Sequence, residues 1–305
     1  MRWLALKSFI IASSCLFSFS SMAETIYPLS MIDGLGNSVV IEQEPKKISS
    51  KTLFTDAVLL ELVDESSLSS LTDLANNPNY SAVKDILPKS VPLLALNVEM
   101  IIANRPDIVF AANWSDASKL AIIENAGIPV YRIQTPKTIA EIKAEILRVG
   151  EIVNKSEAAK KVVAKMKARL TQDVIKPKQR LTALDYNPWG TSSGQDSTWD
   201  EVLEQADLDN AIEGLVSDKY GQVPVSKEMV IVLNPDVLFI PAWVYGDKNG
   251  AEQFKQEVMS DPSLQSVTAI KEGRVYQMPH VLRSVYSQYI IDAVLFVNHS
   301  AYKKP

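Results

Sequence analysis

The residue pattern predicts an α/β protein of two lobes, each built on a central parallel sheet, with a single long rigid α-helix joining them. Three observations carry that expectation. Strand and helix patterns alternate along most of the 305 residues, which specifies parallel sheets covered by helices. One unit of helix, break and strand occurs twice, as VEMIIANRPDIVFAANW over 98–114 and KEMVIVLNPDVLFIPAW over 227–243. Between the two copies lies a proline-free stretch, 138–175, with apolar residues at helical spacing almost throughout. A hydrophobic content of 47% supplies the cores.

In chain order, residues 1–23 read as a signal peptide: Arg2 and Lys7, an apolar run, then Ser21-Met22-Ala23 at the positions a signal peptidase reads. The run is too short and serine-rich to span a bilayer, and no later stretch reaches about 18 uninterrupted apolar residues. The mature chain, beginning at Glu24, is expected to be exported to the periplasm as a soluble protein. Cys15 is the one cysteine. A lipid-modified cysteine is the alternative reading, but Ala12 stands where a lipoprotein signal wants a bulky aliphatic. Cleavage before Glu24 leaves no thiol, which excludes disulfides, thiolate metal sites and cysteine catalysis. It also removes Arg2 and Lys7 and takes the formal charge from −5 to −7. That acidic balance argues against nucleic acid and anionic lipid as partners.

The N-terminal lobe is expected over 24–155. MIDGLGNSVVI reads as two short strands about a turn, since Gly34, Gly36 and Asn37 tolerate positive φ. KISSKTL then reads as a strand, TDAVLLELV as a helix and SLSSLT as a strand, followed by a loop that carries Tyr80. After the first copy of the repeated unit come the helix SDASKLAIIENAG and the strand IPVYRI, with Gly127 stopping the helix. Within 138–175 a break near Asn154-Lys155 separates two helices. The second, the connecting helix over 156–177, has an apolar stripe of Val162, Val163, Met166 and Leu170, and its lysines face water. At 1.5 Å per residue its helical part spans roughly 30 Å, enough to bridge two lobes. In the C-terminal lobe, 178–305, the strand RLTALDYN, the helix TWDEVLEQADL, the second copy and the strand GRVYQMP restore the alternation, and 284–303 reads as a final amphipathic helix.

The two copies align without a gap at an offset of 129, with Glu99, Met100, Ile102, Pro106, Asp107, Phe110 and Trp114 matching Glu228, Met229, Ile231, Pro235, Asp236, Phe239 and Trp243. Proline breaks the helix and aspartate caps the turn, which is structure and not chemistry. Ligands of parallel α/β sheets bind outside the carboxyl ends of the strands. Trp114 and Trp243 stand where the two strands run out, so an indole from each lobe can reach a cleft; either can equally cover the core. Tyr245, Tyr186 and Trp189 occupy similar strand-end loops.

The order of these pieces, with NVEMIIANRPDIVF, AGIPVYRI, the long helix, VSKEMVIVLNPDVLFI and AIKEGRVYQMP at their spacings, resembles the class III periplasmic substrate-binding proteins of ABC importers, which carry iron siderophores, haem or cobalamin. The resemblance covers about residues 25–301. It implies two α/β lobes on one rigid helix, a shallow cleft and limited closure on ligand. It further implies that an acid on each lobe, Glu99 and Glu228, docks onto arginines of a permease dimer that works with an ATPase. Two matched acids suit a two-fold partner, although a first-turn glutamate is also favoured by the helix dipole.

His280 and His299 are the two histidines. His280, in a loop after a strand, could ligate haem iron or simply be solvated. Arg283 suits the carboxylates or phosphates of siderophores, haem or corrinoids, or else caps the next helix. No nucleophile elbow, phosphate loop or His-Glu-x-x-His pair is present, and no dense ligand set for a bare metal ion. The expectation is therefore a monomeric receptor, not an enzyme, without a resident cofactor or metal, whose ligand is an iron chelate, a corrinoid or haem. Its ligand-binding candidates are Tyr80, Trp114, Trp189, Trp243, Tyr245, His280 and Arg283. An exported α/β hydrolase is the rival from another class.

Overall fold

The computed structural model describes residues 25–219, 221–283 and 285–303, so the expected signal peptide and Cys15 lie outside the described residues. No helix among the described residues is long and apolar enough to cross a membrane. The first elements, β1 (Leu29–Ile32) and β2 (Ser38–Ile41), form the expected antiparallel hairpin. Of its turn residues only Gly36 takes positive φ, 85°. Gly34 serves close approach instead: its N–H donates to the Arg132 carbonyl at 2.6 Å, and a Cβ there would meet the Gln134 nitrogen at 2.2 Å.

Four parallel strands make the N-terminal sheet: β3 (Ile48–Ser50), β4 (Leu68–Ser70), β5 (Ile108–Ala112) and β6 (Val130–Ile133), in the order β4-β3-β5-β6. Helices α1 (Leu53–Leu62), α2 (Val98–Asn104) and α3 (Ala117–Asn125) connect them. The expected strand KISSKTL stops at Ser50 because Thr52 is already the N-cap of α1, accepting from the Thr55 N–H at 2.9 Å. Then come α4 (Ile139–Ile152) and α5 (Ser156–Gln172), with the break at Asn154, which has φ of 55°. Helix α5 ends before residue 177 because the Ile175 backbone turns to the Asn298 amide, with bonds of 2.8 and 2.9 Å.

The second sheet holds β7 (Leu181–Asp185), β9 (Leu208–Asn210), β11 (Val237–Pro241) and β12 (Val275–Met278), all parallel, in the order β9-β7-β11-β12. An antiparallel pair, β8 (Thr191–Ser193) and β10 (Gln222–Pro224), lies apart from it. Helices of this lobe are α6 (Thr198–Gln205), α7 (Lys227–Leu233), α8 (Gly250–Ser260), α9 (Thr268–Lys271), α10 (His280–Arg283) and α11 (Ile290–Tyr302). Counted from its own first strand, each sheet runs second, first, third, fourth. The duplicated unit thus belongs to a duplicated topology.

The unit has the same geometry in both places. Asn97 and Ser226 cap α2 and α7 by accepting from the N–H groups of Met100 (2.9 Å) and Met229 (3.3 Å). Arg105 and Asn234 end the helices in left-handed conformation, φ 45° and 43°. The aspartates reach further than a turn. Asp107 accepts from the N–H groups of Lys46 and Lys47 at 2.8 and 2.9 Å, while Asp236 accepts from the N–H and hydroxyl of Thr182 at 2.9 and 3.0 Å. Each carboxylate therefore pins the start of its sheet's first strand to that of the third.

Phe110 and Phe239 face one continuous core that includes Ile142 and Ile146 of α4, Met166 of α5 and Val294 of α11. The opposite sheet faces pack separately, Val109 with α2 and α3, Leu238 with α7, α8 and α9. Hinge opening would have to disrupt a core shared by both lobes, and its free-energy cost grows with the apolar area exposed. A second crossing strengthens the join. The expected helix over 284–303 begins only at Ile290, because the residues before it bury their side chains on the other lobe. There Tyr286 lies parallel to Phe54, centroids 6.3 Å apart, and Gln288 donates to the Ala57 carbonyl at 2.7 Å.

Candidate functional site

In each sheet the connections leave in opposite directions from its first and third strands, which opens a crevice at their carboxyl ends. The register places Ser50 beside Phe110 and Asp185 beside Phe239 at those ends. Segments that follow the carboxyl ends of strands in both sheets meet in an aromatic group. Trp243, two residues past β11, packs against His280 at 4.9 Å and Tyr245 at 5.9 Å between ring centroids. Tyr80 comes from the other lobe, edge-on to Trp243 at 5.7 Å and to His280 at 5.1 Å. Such offset and edge contacts each contribute about 0.5–1.5 kcal/mol beyond burial. Tyr245 leaves 82% of its surface open, the exposed shoulder of the group.

His280 stands not in an open loop but at the first position of α10, a single turn. Its Nδ1 is buried without a hydrogen-bond partner among the described residues. Burial, helped by the Arg283 charge, pushes its pKa down, so the ring is neutral at pH 7. A neutral imidazole with a free nitrogen can accept a hydrogen bond or coordinate a metal.

One turn on, Arg283 forms a salt bridge with Asp185 and lays its guanidinium over Trp189, 5.2 Å from the ring centroid. Its side chain is only 14% exposed. Desolvation raises the Asp185 pKa to about 6, opposed by Arg283 and by Asn187. In the N-terminal lobe Lys51 follows β3; its ammonium donates to the Ser70 hydroxyl (2.9 Å) and the Leu94 carbonyl (3.1 Å) and faces Asp56 and Asp73. Burial moves Lys51 down to about 8 and Asp56 up to about 7.

Trp114 stands apart from these groups. It is 71% exposed, its indole N–H donates to the Thr135 hydroxyl at 3.1 Å, and it makes no ring contact with the aromatic group. Of the sequence candidates, then, Tyr80, Trp243, Tyr245 and His280 come together, with Arg283 and Trp189 beside them through α10. Asp185, Lys51 and Asp56 were not among the candidates. Their signal is a charged residue at or just past the end of an apolar strand, or in the middle of an apolar helix. Glu99 and Glu228 occupy the same second position of α2 and α7, both exposed.

The periplasmic binding protein family pattern matches residues 48–282. The chain belongs to that family. Curated relatives of this periplasmic binding protein include the uncharacterized ABC transporter substrate-binding lipoprotein YvrC of Bacillus subtilis, 26% identical over 91% of this chain and 86% of that protein. The ferric-anguibactin-binding protein FatB of Vibrio anguillarum is 25% identical over 87% of each. Among solved structures, a periplasmic binding protein of Veillonella parvula superposes with a TM-score of 0.73 at 18% identity, covering 90% of this chain and 98% of that one. That likeness is one of fold.

Proposed function

We propose that this periplasmic binding protein is the receptor of an ABC importer that captures a metal chelate, an iron siderophore or a corrinoid, between its lobes and delivers it to a membrane permease. The observation that carries the reading is the aromatic group built from both lobes at the carboxyl edges of their sheets. Its rings offer flat apolar faces, and Arg283 and His280 offer a donor and an acceptor at one rim, which is how pockets grip ligands of this size. The rings of Tyr80 and Trp243 already touch, so a ligand entering there separates a contact between lobes and alters their angle. Exposed Glu99 and Glu228, in matched positions on two topologically equivalent lobes, suit docking on a two-fold permease. The relation to an ABC transporter substrate-binding lipoprotein and to a ferric-anguibactin-binding protein supports the same direction.

Haem is the second ligand reading, favoured by the unpartnered Nδ1 of neutral His280. One titration separates the two. Tryptophan fluorescence and calorimetry with ferric siderophores, cyanocobalamin, haem and free iron should give saturable quenching with one chelate. Haem ligation should give a Soret shift that His280→Ala removes. No saturable response to any probe contradicts the receptor reading.

A further inference from the structure

The two buried cationic side chains near the carboxyl edges of the sheets already hold partners in their own lobes. Arg283 is bound to Asp185, and both are largely buried, 14% and 3% exposed at the side chain. Lys51 is buried and already donates to the Ser70 hydroxyl at 2.9 Å and the Leu94 carbonyl at 3.1 Å. On the exposed loop after β11, Asp247 and Lys248 bring one charge of each sign, and the Asp247 carboxylate is already accepting from the Asn249 and Gly250 N–H groups at 2.9 and 3.0 Å. The aromatic rings and the neutral His280 add no charge.

We infer, building on the receptor reading above, that the cleft selects chelates carrying no net charge and rejects strongly anionic ones. A trianionic complex placed there loses its hydration, which costs several kcal/mol for each buried ion that finds no partner. The two buried cations cannot repay that loss without giving up the partners they already hold, and freeing Asp185 would leave an unpaired buried charge in its place. An uncharged chelate meets aromatic faces and has little to lose on desolvation. Arg283 still donates: Asp185 uses one edge of the guanidinium, and the planar fork keeps further N–H groups for a neutral carbonyl or hydroxamate oxygen. Asp185 acts as a positioning residue that sets both the orientation of Arg283 and the net charge of the site.

The test uses the mature protein with uncharged ferrichrome, cyanocobalamin, trianionic ferric enterobactin and haem, with Kd measured by calorimetry at low and high salt. An uncharged probe should bind at least about 100-fold more tightly than ferric enterobactin. Its Kd should change less than about twofold with salt. Asp185→Asn, which releases the Arg283 charge, should narrow the ratio by about tenfold or more through tighter anion binding, an effect that a general loss of packing would not produce. If the variant does not fold, the wild-type ratio and its salt dependence decide. Equal or tighter binding of the trianion overturns the charge inference and leaves the receptor reading standing. Binding of none of the four contradicts the receptor reading, and the inference falls with it.

Discussion

At the end of β5, Trp114 is largely exposed and hydrogen-bonded within its own lobe; at the end of β11, the matching Trp243 is half-buried against rings from both lobes. The strands leading to them share topology, register and an aspartate that pins the neighbouring strand. The difference therefore arises after the strands end. In the C-terminal lobe β12 is followed by α10, which sets His280 against Trp243 and Arg283 over Trp189. In the N-terminal lobe β6 is followed by Gln134 and Thr135, which hold Asn113 and Trp114 through side-chain hydrogen bonds of 3.1 Å. Duplication preserves what the sheet needs, while the residues past the strands are free to diverge. The result is an aromatic group to which the C-terminal lobe contributes Trp243, Tyr245 and His280 and the N-terminal lobe Tyr80.

The shared features should respond alike in both lobes and the divergent ones should not. The largest effect is expected at the exposed acids. The double variant Glu99→Lys with Glu228→Lys should abolish uptake in cells while Kd for the chelate stays within about twofold, because both side chains are exposed in the first turns of α2 and α7. Unchanged transport by that variant removes the docking role. Next, Trp243→Ala should weaken ligand binding by about 30-fold, the loss of a central aromatic anchor, whereas Trp114→Ala should change it by less than about threefold. Equal losses would restore symmetry to the cleft.

Among stability effects, Asp107→Ala and Asp236→Ala should each cost about 2 kcal/mol, since each deletes two hydrogen bonds to a charged acceptor at the base of a sheet. Thermal melts should show the two within error of one another; a large disparity would mean that the repeat is alike in shape and unlike in energetics. The smallest effect concerns pH. Asp56 titrates near 7 in the folded lobe against an ordinary 3.8, and Asp185 near 6. A pKa raised on folding contributes stability that is complete below 3.8 and is lost as pH climbs to the folded value. Asp56→Asn should thus flatten the decline in Tm between about pH 4 and 7, and Asp185→Asn should flatten it over a narrower window ending near 6.

What was legible in the sequence was what local chemistry dictates. The Pro-Asp break, the capping residues and the apolar strands announce themselves within a dozen neighbours, so both sheets and the long helix follow from pattern. Tyr80, Trp243 and His280 were recognisable as aromatic residues in loops next to strand ends. Their meeting was not, because it depends on how loops from two lobes fold over one another. The role of Asp185 is not visible locally because it is given by Arg283, 98 positions later. The apolar residues before α11 satisfy helical spacing, yet Tyr286 stacks on Phe54 in the other lobe and the helix begins only at Ile290.

In the proposed mode of binding the ligand is held where Trp243 and Tyr80 meet, between the lobes. Trp114→Phe and Trp243→Phe, titrated in parallel with the chelate that binds the unaltered protein, test it most directly. Fluorescence quenching on binding should survive in Trp114→Phe and largely disappear in Trp243→Phe. Quenching that is lost with Trp114 and retained without Trp243 would place the ligand elsewhere and overturn this site.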